Sequence, residues 1–283
     1  MDLDLGLLGP LLMNVDGRPF APSAPKQRQL LALLMLNLGH VVPLSHIIEE
    51  LWDDEPPRTA PSAVQSYVLQ LRRLMCGMPG VGSLAVAGTV LQTKNGGYSL
   101  ARERGRLDAE EFEDRLRQAR AAARHGDPAR TARLYHEALD IWRGPALIDV
   151  PAGPRLQRHI TALEESRLQA LEQRVEAELQ VGRHHELLSE LRMLVMRYPS
   201  NENLHAQFMI ALFRSGRQVE ALEVFTRLRA FVKSDLGIEL SGRIRRLHQA
   251  ILVSDPILET PVRAASPITL DLVRHDTCRP GVA

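Results

Sequence analysis

The sequence predicts a mainly α-helical protein with two parts. The first is an N-terminal winged helix-turn-helix of mixed α and β structure, and the second is an all-α domain of tetratricopeptide-like helical repeats. Short apolar strands, three helical patterns and an Asn-Gly hairpin follow one another within residues 1–105. Glycines then recur before similar helical patterns, two of them 34 residues apart, which is the tetratricopeptide period. We therefore expect domains at 1–105 and 106–253, and a flexible tail at 254–283 that has no periodic pattern.

Composition restricts the class of protein. The 283 residues are 45% hydrophobic and 24% charged, which is typical of a soluble globular chain. No apolar run approaches the roughly 20 residues of a membrane span, and the acidic N-terminus lacks the basic region of a signal peptide. Two distant cysteines, Cys76 and Cys278, predict no disulfide framework. We expect a cytoplasmic protein, associated with the nucleoid if it binds DNA.

The first domain begins with strands. Leu3, Leu5 and Leu7 alternate as in a half-buried strand, and Leu11–Val15 predicts a second one. Asp16-Gly17 is a hairpin signal that leads into a third extended piece at Arg18–Phe20.

Two helices follow. Lys26–Leu38 is apolar nearly all round, which predicts a buried central helix, and Gly39 stands where a C-cap glycine belongs. Ser45–Leu51 predicts a second helix with Ser45 as its N-cap.

The third helix, expected within Arg58–Arg73, has one apolar face and one polar face. Val64, Val68, Leu71 and Met75 recur at helical spacing and so share the apolar face. The opposite face carries hydroxyls, amides and guanidinia without a carboxylate: Ser62, Gln65, Ser66, Leu69, Gln70, Arg72 and Arg73. Amides and guanidinia read base edges in the major groove, and Arg and Ser also hold phosphates. From this stretch alone, an ordinary surface helix is an equal alternative.

The sequence allows two arrangements at the N-terminus of this helix. Thr59 is the N-cap with Pro61 in the first turn, or Ser62 and Gln65 form a capping box.

A glycine-rich and loose segment is expected at Met75–Gly88, followed by two short strands. Val90–Thr93 and Gly97–Leu100 flank Lys94-Asn95-Gly96, in which Asn-Gly is a strong hairpin signal. A hairpin after three helices is the layout of a wing, which reaches the DNA backbone or minor groove while the third helix enters the major groove.

Charge is distributed unevenly in this domain although the chain carries only +1 overall. No Asp or Glu occurs between Thr59 and Arg102, whereas Asp53, Asp54 and Glu55 lie just upstream. Such a domain has one face able to meet phosphates.

The second domain is helical and repetitive. Gly126, Gly182 and Gly216 each begin a similar pattern. Residues five, nine and twelve positions after each glycine are expected to pack inward: Thr131, Tyr135 and Ala138; Leu187, Leu191 and Leu194; Ala221, Phe225 and Leu228. A long helix near Arg155–Val181 separates the first copy from the second. Stacked helix pairs of this kind bind partners rather than catalyse reactions.

No convincing catalytic set, metal site or cofactor motif is present in the sequence. His184-His185-Glu186 has adjacent residues that face different ways, which does not suit a ligand set. His46, Glu49 and Glu50 share a helical face, for which a solvated acidic surface is the expected explanation. We therefore predict that the protein is not an enzyme and needs no cofactor.

The sequence resembles the Streptomyces antibiotic regulatory proteins. The stretches LGPLLMNVDGRPF, PKQRQLLALLMLNLGHVV, ELWDDEPPRTAPSAVQSYVLQLRRL and LQTKNGGYSL carry the resemblance in the first domain. Those proteins begin with a winged helix similar to the effector domain of OmpR and PhoB response regulators. From Leu107 to about Leu252 the chain is similar to their bacterial transcriptional activation domain, in LDAEEFEDRL, YHEALDIWRGPAL, RVEAELQVGRHHELLSEL and RSGRQVEALEVFTRLR.

The resemblance implies a sequence-specific activator of a secondary-metabolite gene cluster. It binds direct repeats near the −35 region of promoters, as a homodimer or tandem assembly, and recruits RNA polymerase through contacts that include the sigma factor. The implied base-facing residues are Gln65, Leu69 and Gln70. Backbone contacts are expected from Arg58, Ser62, Ser66, Tyr67, Arg72 and Arg73. The wing contributes Lys94, Asn95 and Tyr98, and the acidic loop of Asp53, Asp54 and Glu55 is a possible polymerase contact.

Three positions depart from the family pattern. Leu69-Gln70 stands where family members usually have Ser-Arg, and a Gln there favours adenine over guanine. Asn95-Gly96 replaces Pro-Pro in the wing, and Leu240 stands where Pro is usual. Two other functions stay open from the sequence: a helical-repeat scaffold whose winged helix binds protein, and a ligand-gated sensor with a small molecule in the repeat domain.

Overall fold

The computed structural model describes residues 3–102, 105–235 and 237–259. Its strands are β1 (Leu3–Gly6), β2 (Leu12–Val15), β3 (Arg18–Pro19), β4 (Val42–Pro43), β5 (Leu91–Lys94), β6 (Gly97–Leu100) and β7 (Gly105–Leu107). Its helices are α1 (Pro25–Leu36), α2 (Leu44–Trp52), α3 (Ala60–Met75), α4 (Leu84–Val90), α5 (Asp108–Arg124), α6 (Pro128–Leu139), α7 (Pro154–Gln180), α8 (His184–Arg197), α9 (Glu202–Arg214), α10 (Gln218–Asp235) and α11 (Gly242–Leu252). The predicted fold class, a winged helix followed by helical repeats, is confirmed.

The described residues form two compact units that do not follow the expected boundary at residue 105. The first unit lies within Met1–Arg115 and Glu137–Leu168, and the second within Leu116–His136 and Gln169–Ala283. The domains predicted at 1–105 and 106–253 therefore stay predictions. Part of the helical region, within Glu137–Leu168, packs in the same unit as the N-terminal domain.

Two small sheets frame the first unit. The first sheet has the order β3-β2-β1-β7, with β1 and β7 parallel and the other pairs antiparallel. Asp16 and Gly17 make the predicted turn with φ of 48° and 78°, the left-handed values that a two-residue hairpin favours. The second sheet has the order β4-β6-β5 and contains the predicted hairpin, in which Lys94 pairs with Gly97 across Asn95-Gly96.

Helix α1 is the buried centre of the first unit, as its apolar pattern predicts. Leu30, Leu31 and Leu34 are fully buried, and Gly39 after the helix has a φ of 81°. The prediction that Ser45 caps α2 is wrong, since the helix begins at Leu44 with Pro43 at the N-cap position. Helices α1, α2 and α3 pack against one another and form the three-helix core expected of a winged helix.

The segment expected to be loose contains a helix, so that prediction is wrong for its C-terminal part. Helix α4 begins after Ser83, whose hydroxyl accepts a hydrogen bond from the Val86 amide at 3.3 Å. Ala87 and Val90 are buried, and this burial stabilises a helix that the glycines flanking it obscured.

The three repeats of the second unit share one turn geometry. Gly126, Gly182 and Gly216 have φ of 69°, 85° and 73°. The amide after each glycine donates to a carbonyl five residues earlier, at 3.3, 3.0 and 2.9 Å for Asp127, Arg183 and Arg217. This is the pattern of a helix that ends at a left-handed glycine. The register predicted from sequence is therefore confirmed by backbone hydrogen bonds.

The inward positions of the repeats pack as predicted. All nine residues chosen by spacing are buried: Thr131, Tyr135, Ala138, Leu187, Leu191, Leu194, Ala221, Phe225 and Leu228. Within the second unit, α9 packs against both α8 and α10. The described part of the chain contains no helix long and apolar enough to cross a membrane.

The first residues of the predicted flexible tail are folded. Pro256–Leu258 forms a 3-10 turn, and Leu258 is fully buried. Its carbonyl accepts a hydrogen bond from Arg214 Nε at 2.8 Å, which holds the turn to α9. The rest of the predicted tail, from residue 260 to 283, lies outside the described residues, as does Cys278.

Candidate nucleic-acid interface

Helix α3 presents the two faces that its sequence predicts. Val64, Val68, Leu71 and Met75 are buried, and all four are at most 2% exposed. The exposed side chains are Ser62, Gln65, Ser66, Leu69, Gln70 and Arg73. The helix begins at Ala60 with Thr59 at the N-cap, so the capping box of Ser62 and Gln65 does not form. The solvent face keeps its hydroxyls, amides and guanidinium available for a partner.

The three side chains expected to face bases lie exposed on one side of α3. Gln65 and Gln70 are exposed amides, and Leu69 is 39% exposed. Gln70 Oε1 accepts a hydrogen bond from Gln27 Nε2 of α1. Adenine recognition needs that same oxygen as an acceptor for the adenine amino group. While the Gln27–Gln70 pair is intact, one of the two lone pairs of Gln70 Oε1 is occupied, and the Gln70 N–H donors stay available.

The predicted phosphate contacts fall into two groups. Arg58, Ser62, Ser66 and Arg73 are exposed, with Arg58 in the loop before α3 and Arg73 in its last turn. The Ser66 hydroxyl donates to the Ser62 carbonyl at 3.0 Å, as solvent-facing helical serines often do. These four residues are placed where a DNA backbone can reach them.

Arg72 and Tyr67 are engaged inside the domain. Arg72 Nε and Nη2 donate to the Leu91 carbonyl at 2.9 and 2.8 Å, and Nη2 also donates to Thr93 Oγ1 at 2.8 Å. Tyr67 is half-buried and stacks on Trp52, with ring centroids 6.4 Å apart. Arg72 therefore ties α3 to the first strand of the wing, and Tyr67 ties α3 to α2. Both side chains thus have partners inside the domain, and their predicted phosphate contacts stay predictions.

The wing presents two of its three predicted residues. Lys94 and Asn95 are exposed at the tip of the β5–β6 hairpin. Tyr98 belongs to the wing hairpin as predicted, but it is only 8% exposed and offers little surface to a partner. Tyr98 lies on β6, the central strand of its sheet, where it pairs with Val42 and Thr93 on either side. Its low exposure places Tyr98 among the buried side chains of the first unit.

The charges around α3 are segregated in space as they are in sequence. Asp53, Asp54 and Glu55 are all exposed in the loop between α2 and α3. Arg58 follows them directly, and Arg73 and Lys94 are the exposed cations further along the carboxylate-free stretch. One side of the first unit therefore offers cations and amides, and the acidic loop adjoins it.

The burial of Glu50, an acidic residue of α2, was not predicted from the sequence. The Glu50 carboxylate is 1% exposed and accepts three backbone hydrogen bonds: from Gly153 at 2.6 Å, Arg155 at 2.9 Å and Leu156 at 3.0 Å. The expectation of a solvated acidic surface is therefore wrong for Glu50, whereas Glu49 is partly exposed and pairs with Arg155. A negative charge suits the N-terminus of α7, where backbone N–H groups are otherwise unpaired.

Further contacts within the first unit hold the winged helix to segments far along the chain. Asp108 accepts from the amides of Leu7 and Leu8 at 2.8 and 3.0 Å, and Asp149 accepts from the amide of Leu11 at 2.8 Å. One feature of the sequence did indicate that Glu50 could be buried: it stands three residues after Ile47, on the apolar face of α2. No local signal existed for Asp108 or Asp149, because their partners are about 100 residues or more away.

Among the described residues, no group of three or more His, Cys, Asp or Glu side chains is placed to hold a metal ion. His184 and His185 lie with ring centroids 4.4 Å apart in the second unit. Burial lowers the pKa of His184, and His185 and Arg214 lower it further. What the structure does assemble is an exposed polar face, made by α3 and the wing.

Two sequence families match the chain. The one described as "Transcriptional regulatory protein, C terminal" matches residues 19–83, and the one described as "Bacterial transcriptional activator domain" matches residues 107–252. The chain is 42% identical to regulatory protein DnrI of Streptomyces peucetius, over 90% of this chain and 93% of DnrI. It is 38% identical to regulatory protein AfsR of Streptomyces coelicolor over 90% of this chain, and spans only 25% of AfsR.

A solved structure is similar over the same range. It is that of Mycobacterium tuberculosis EmbR in complex with a low-affinity phosphopeptide. The TM-score is 0.81 at 34% identity, covering 90% of this chain and 66% of the EmbR chain. Both the order of the domains and the fold of the chain are thus shared with regulatory proteins.

Proposed function

Since this chain belongs to the Streptomyces antibiotic regulatory proteins, a family of transcriptional activators, we propose that it activates a secondary-metabolite gene cluster by binding direct repeats near the promoter −35 region. The observation that carries the proposal is the exposed face of α3, which is polar, free of carboxylates and next to the exposed tip of a wing. α3 enters the major groove, and Lys94 and Asn95 meet the adjacent backbone or minor groove.

The division of roles follows from exposure. Gln65, Leu69 and Gln70 face bases, because amides bond base edges and an exposed aliphatic side chain packs on a thymine methyl. Arg58 and Arg73, with Ser62 and Ser66, hold phosphates. Arg72 and Tyr67 keep the helix, the wing and α2 in register. A tandem pair of chains on two direct repeats gives the head-to-tail arrangement that repeated, non-palindromic sites require.

A mobility-shift series on promoter fragments from the protein's own gene neighbourhood tests the DNA-binding step. Arg73→Ala is expected to weaken binding to every sequence and to reduce the log–log salt slope by about 0.9, the contribution of one neutralised phosphate. Arg245→Ala, which removes an exposed arginine of α11 in the second unit, is the matched control. Unchanged affinity of Arg73→Ala would remove α3 from the interface, and no retarded complex with any fragment would favour the protein-binding scaffold.

Recruitment of RNA polymerase is the second step of the proposal. The exposed acidic loop of Asp53, Asp54 and Glu55 lies beside the DNA-binding face and suits a basic surface on the polymerase, including its sigma factor. Reversing the three charges to Lys is expected to abolish activation in a purified transcription assay while footprints on the promoter persist. Full activation by that variant would exclude the loop as the contact.

A further inference from the structure

A cavity of about 400 Å³ lies among α8, α9 and α10 in the second unit. Its walls are aliphatic and aromatic side chains from all three helices, among them Val195, Phe208, Val224 and Phe231. The volume falls within the roughly 300–1,000 Å³ typical of small-molecule sites, which are mostly apolar with a few polar groups. The second unit therefore contains a pocket that DNA binding by the first unit does not use.

The polar groups of this cavity have one sign of charge. Arg192, Arg227 and His205 contribute to its lining, and no carboxylate does so among the described residues. Two carboxylates lie close to the lining residues: Glu220 is held by Arg217 through two hydrogen bonds of 2.6 Å and lies 3.7 Å from Arg192, and Glu202 interacts with His205. Burial lowers the pKa of His205, and nearby Arg227 lowers it further, so near neutral pH the two guanidinia provide the positive charge.

We propose that this cavity binds a small apolar molecule with one acidic group, a carboxylate or sulfonate, whose anion lies against Arg227 and Arg192. The apolar body lies against Phe208 and Val224, where burial of its surface supplies most of the affinity. The guanidinia select the anion, because a charged hydrogen bond in a partly dry site is stronger than one between neutral groups. This site is independent of the proposed DNA contacts and goes beyond them.

A pair of fluorescent probes with the same aromatic rings tests the proposal on the full chain. The anionic probe is 8-anilino-1-naphthalenesulfonate, and the neutral one is N-phenyl-1-naphthylamine. The wild-type chain is expected to bind the anionic probe saturably at one site. Arg227→Gln should weaken that binding about tenfold while changing affinity for the neutral probe less than twofold, since about 1.4 kcal/mol per charged hydrogen bond corresponds to a factor of ten.

Matched variants separate the cavity from the general surface. Arg229→Gln removes a guanidinium from α10 that does not line the cavity, and it should leave both affinities unchanged. Met196 and Met193 are both exposed methionines of α8, at 70% and 65%, and only Met196 lines the cavity. Met196→Glu should therefore weaken binding of the anionic probe about tenfold, because it places a negative charge beside the anion. Met193→Glu should leave that affinity unchanged. Both variants are exposed and are expected to fold.

Two results would overturn the proposal. The first is non-saturable binding of the anionic probe to the wild-type chain. The second is equal loss of that binding in Met193→Glu and Met196→Glu, which would place the probe on the surface. If Arg227→Gln weakens the binding of both probes equally and its circular dichroism matches that of the wild type, the cavity does not select the anion by charge. If that variant does not fold, the two methionine variants decide the result.

Discussion

Helices α2 and α3 are neighbours in one unit, yet their polar side chains have opposite surroundings. The acidic edge of α2 is enclosed, since the Glu50 carboxylate accepts three amide hydrogen bonds at the start of α7. The polar face of α3 is open, and Gln65 and Arg73 are exposed to solvent. Both helices show a clear apolar face in the sequence. The comparison teaches that periodicity predicts which face packs, whereas the role of a polar residue depends on which distant segment meets it.

The largest effect is expected from Glu50→Ala, which removes the acceptor for three buried amides. Because those amides would be left unpaired, while Gln29 keeps its bond to the Glu50 carbonyl, the free energy of unfolding should fall by about 3–5 kcal/mol. The measurement is urea denaturation followed by circular dichroism. Glu49→Ala is the control on the same helix, since Glu49 is partly exposed and its ion pair with Arg155 should contribute at most about 1 kcal/mol. Equal losses in the two variants would show that the enclosure of Glu50 has no energetic weight.

A second effect concerns the connection between α3 and the wing. Arg72→Ala leaves the Leu91 carbonyl and the Thr93 hydroxyl without their guanidinium donor, and should lower the free energy of unfolding by about 1–3 kcal/mol. Hydroxyl-radical footprints should then lose the protection given by the wing before they lose that given by α3. Arg73→Ala, which removes an exposed neighbour, should weaken DNA binding with little change in stability. If the two variants behave alike, Arg72 is a phosphate contact after all.

A third effect separates α3 from its support on α1. Gln27→Ala frees Gln70 Oε1 from its hydrogen bond and should shift the base preferred at one position towards adenine. Gln70→Ala should instead relax the preference at that position, at a cost of roughly 1–3 kcal/mol for the best site. Selection from a randomised DNA library, carried out with both variants and wild type, measures these preferences. Identical preferences in wild type and Gln27→Ala would show that the glutamine pair has no part in recognition.

The smallest effect is a pH dependence of stability in the second unit. Burial lowers the pKa of His205 below its ordinary value of 6.5, and burial lowers the pKa of His184 and His248 as well. A histidine that is harder to protonate in the folded chain takes up its proton preferentially in the unfolded chain. Stability should therefore be complete above about pH 6.5 and decrease as the pH falls below it.

Thermal unfolding at pH 7.5 and 5.5 measures this dependence. His205→Gln should reduce the difference in melting temperature between the two pH values and leave the contributions of His184 and His248. An undiminished difference in this variant would show that His205 does not contribute to the pH dependence.

Much of the candidate site follows from local sequence. The apolar stripe of α3, the Asn95-Gly96 hairpin and the carboxylate-free stretch each depend on residues close together in the chain, and each is present in the structure. The surroundings that the sequence did not predict are those of residues whose partners lie elsewhere in the chain. Tyr98 was assigned to the wing, and its strand does belong to that hairpin, but it also pairs with β4 and its ring is buried. Arg72 was assigned to phosphates, but its guanidinium meets β5.

The sequence by itself determined the fold class, the order of the domains and the register of the repeats. Helical period, turn glycines and hairpin signals are local, and each repeat uses the same left-handed glycine after its first helix. Only the tertiary structure decided that residues 137–168 pack with the winged helix and that Glu50 pairs with the start of α7. Those contacts join segments about 100 residues apart, and a local pattern carries no information about which unpaired backbone groups will arrive beside a given side chain.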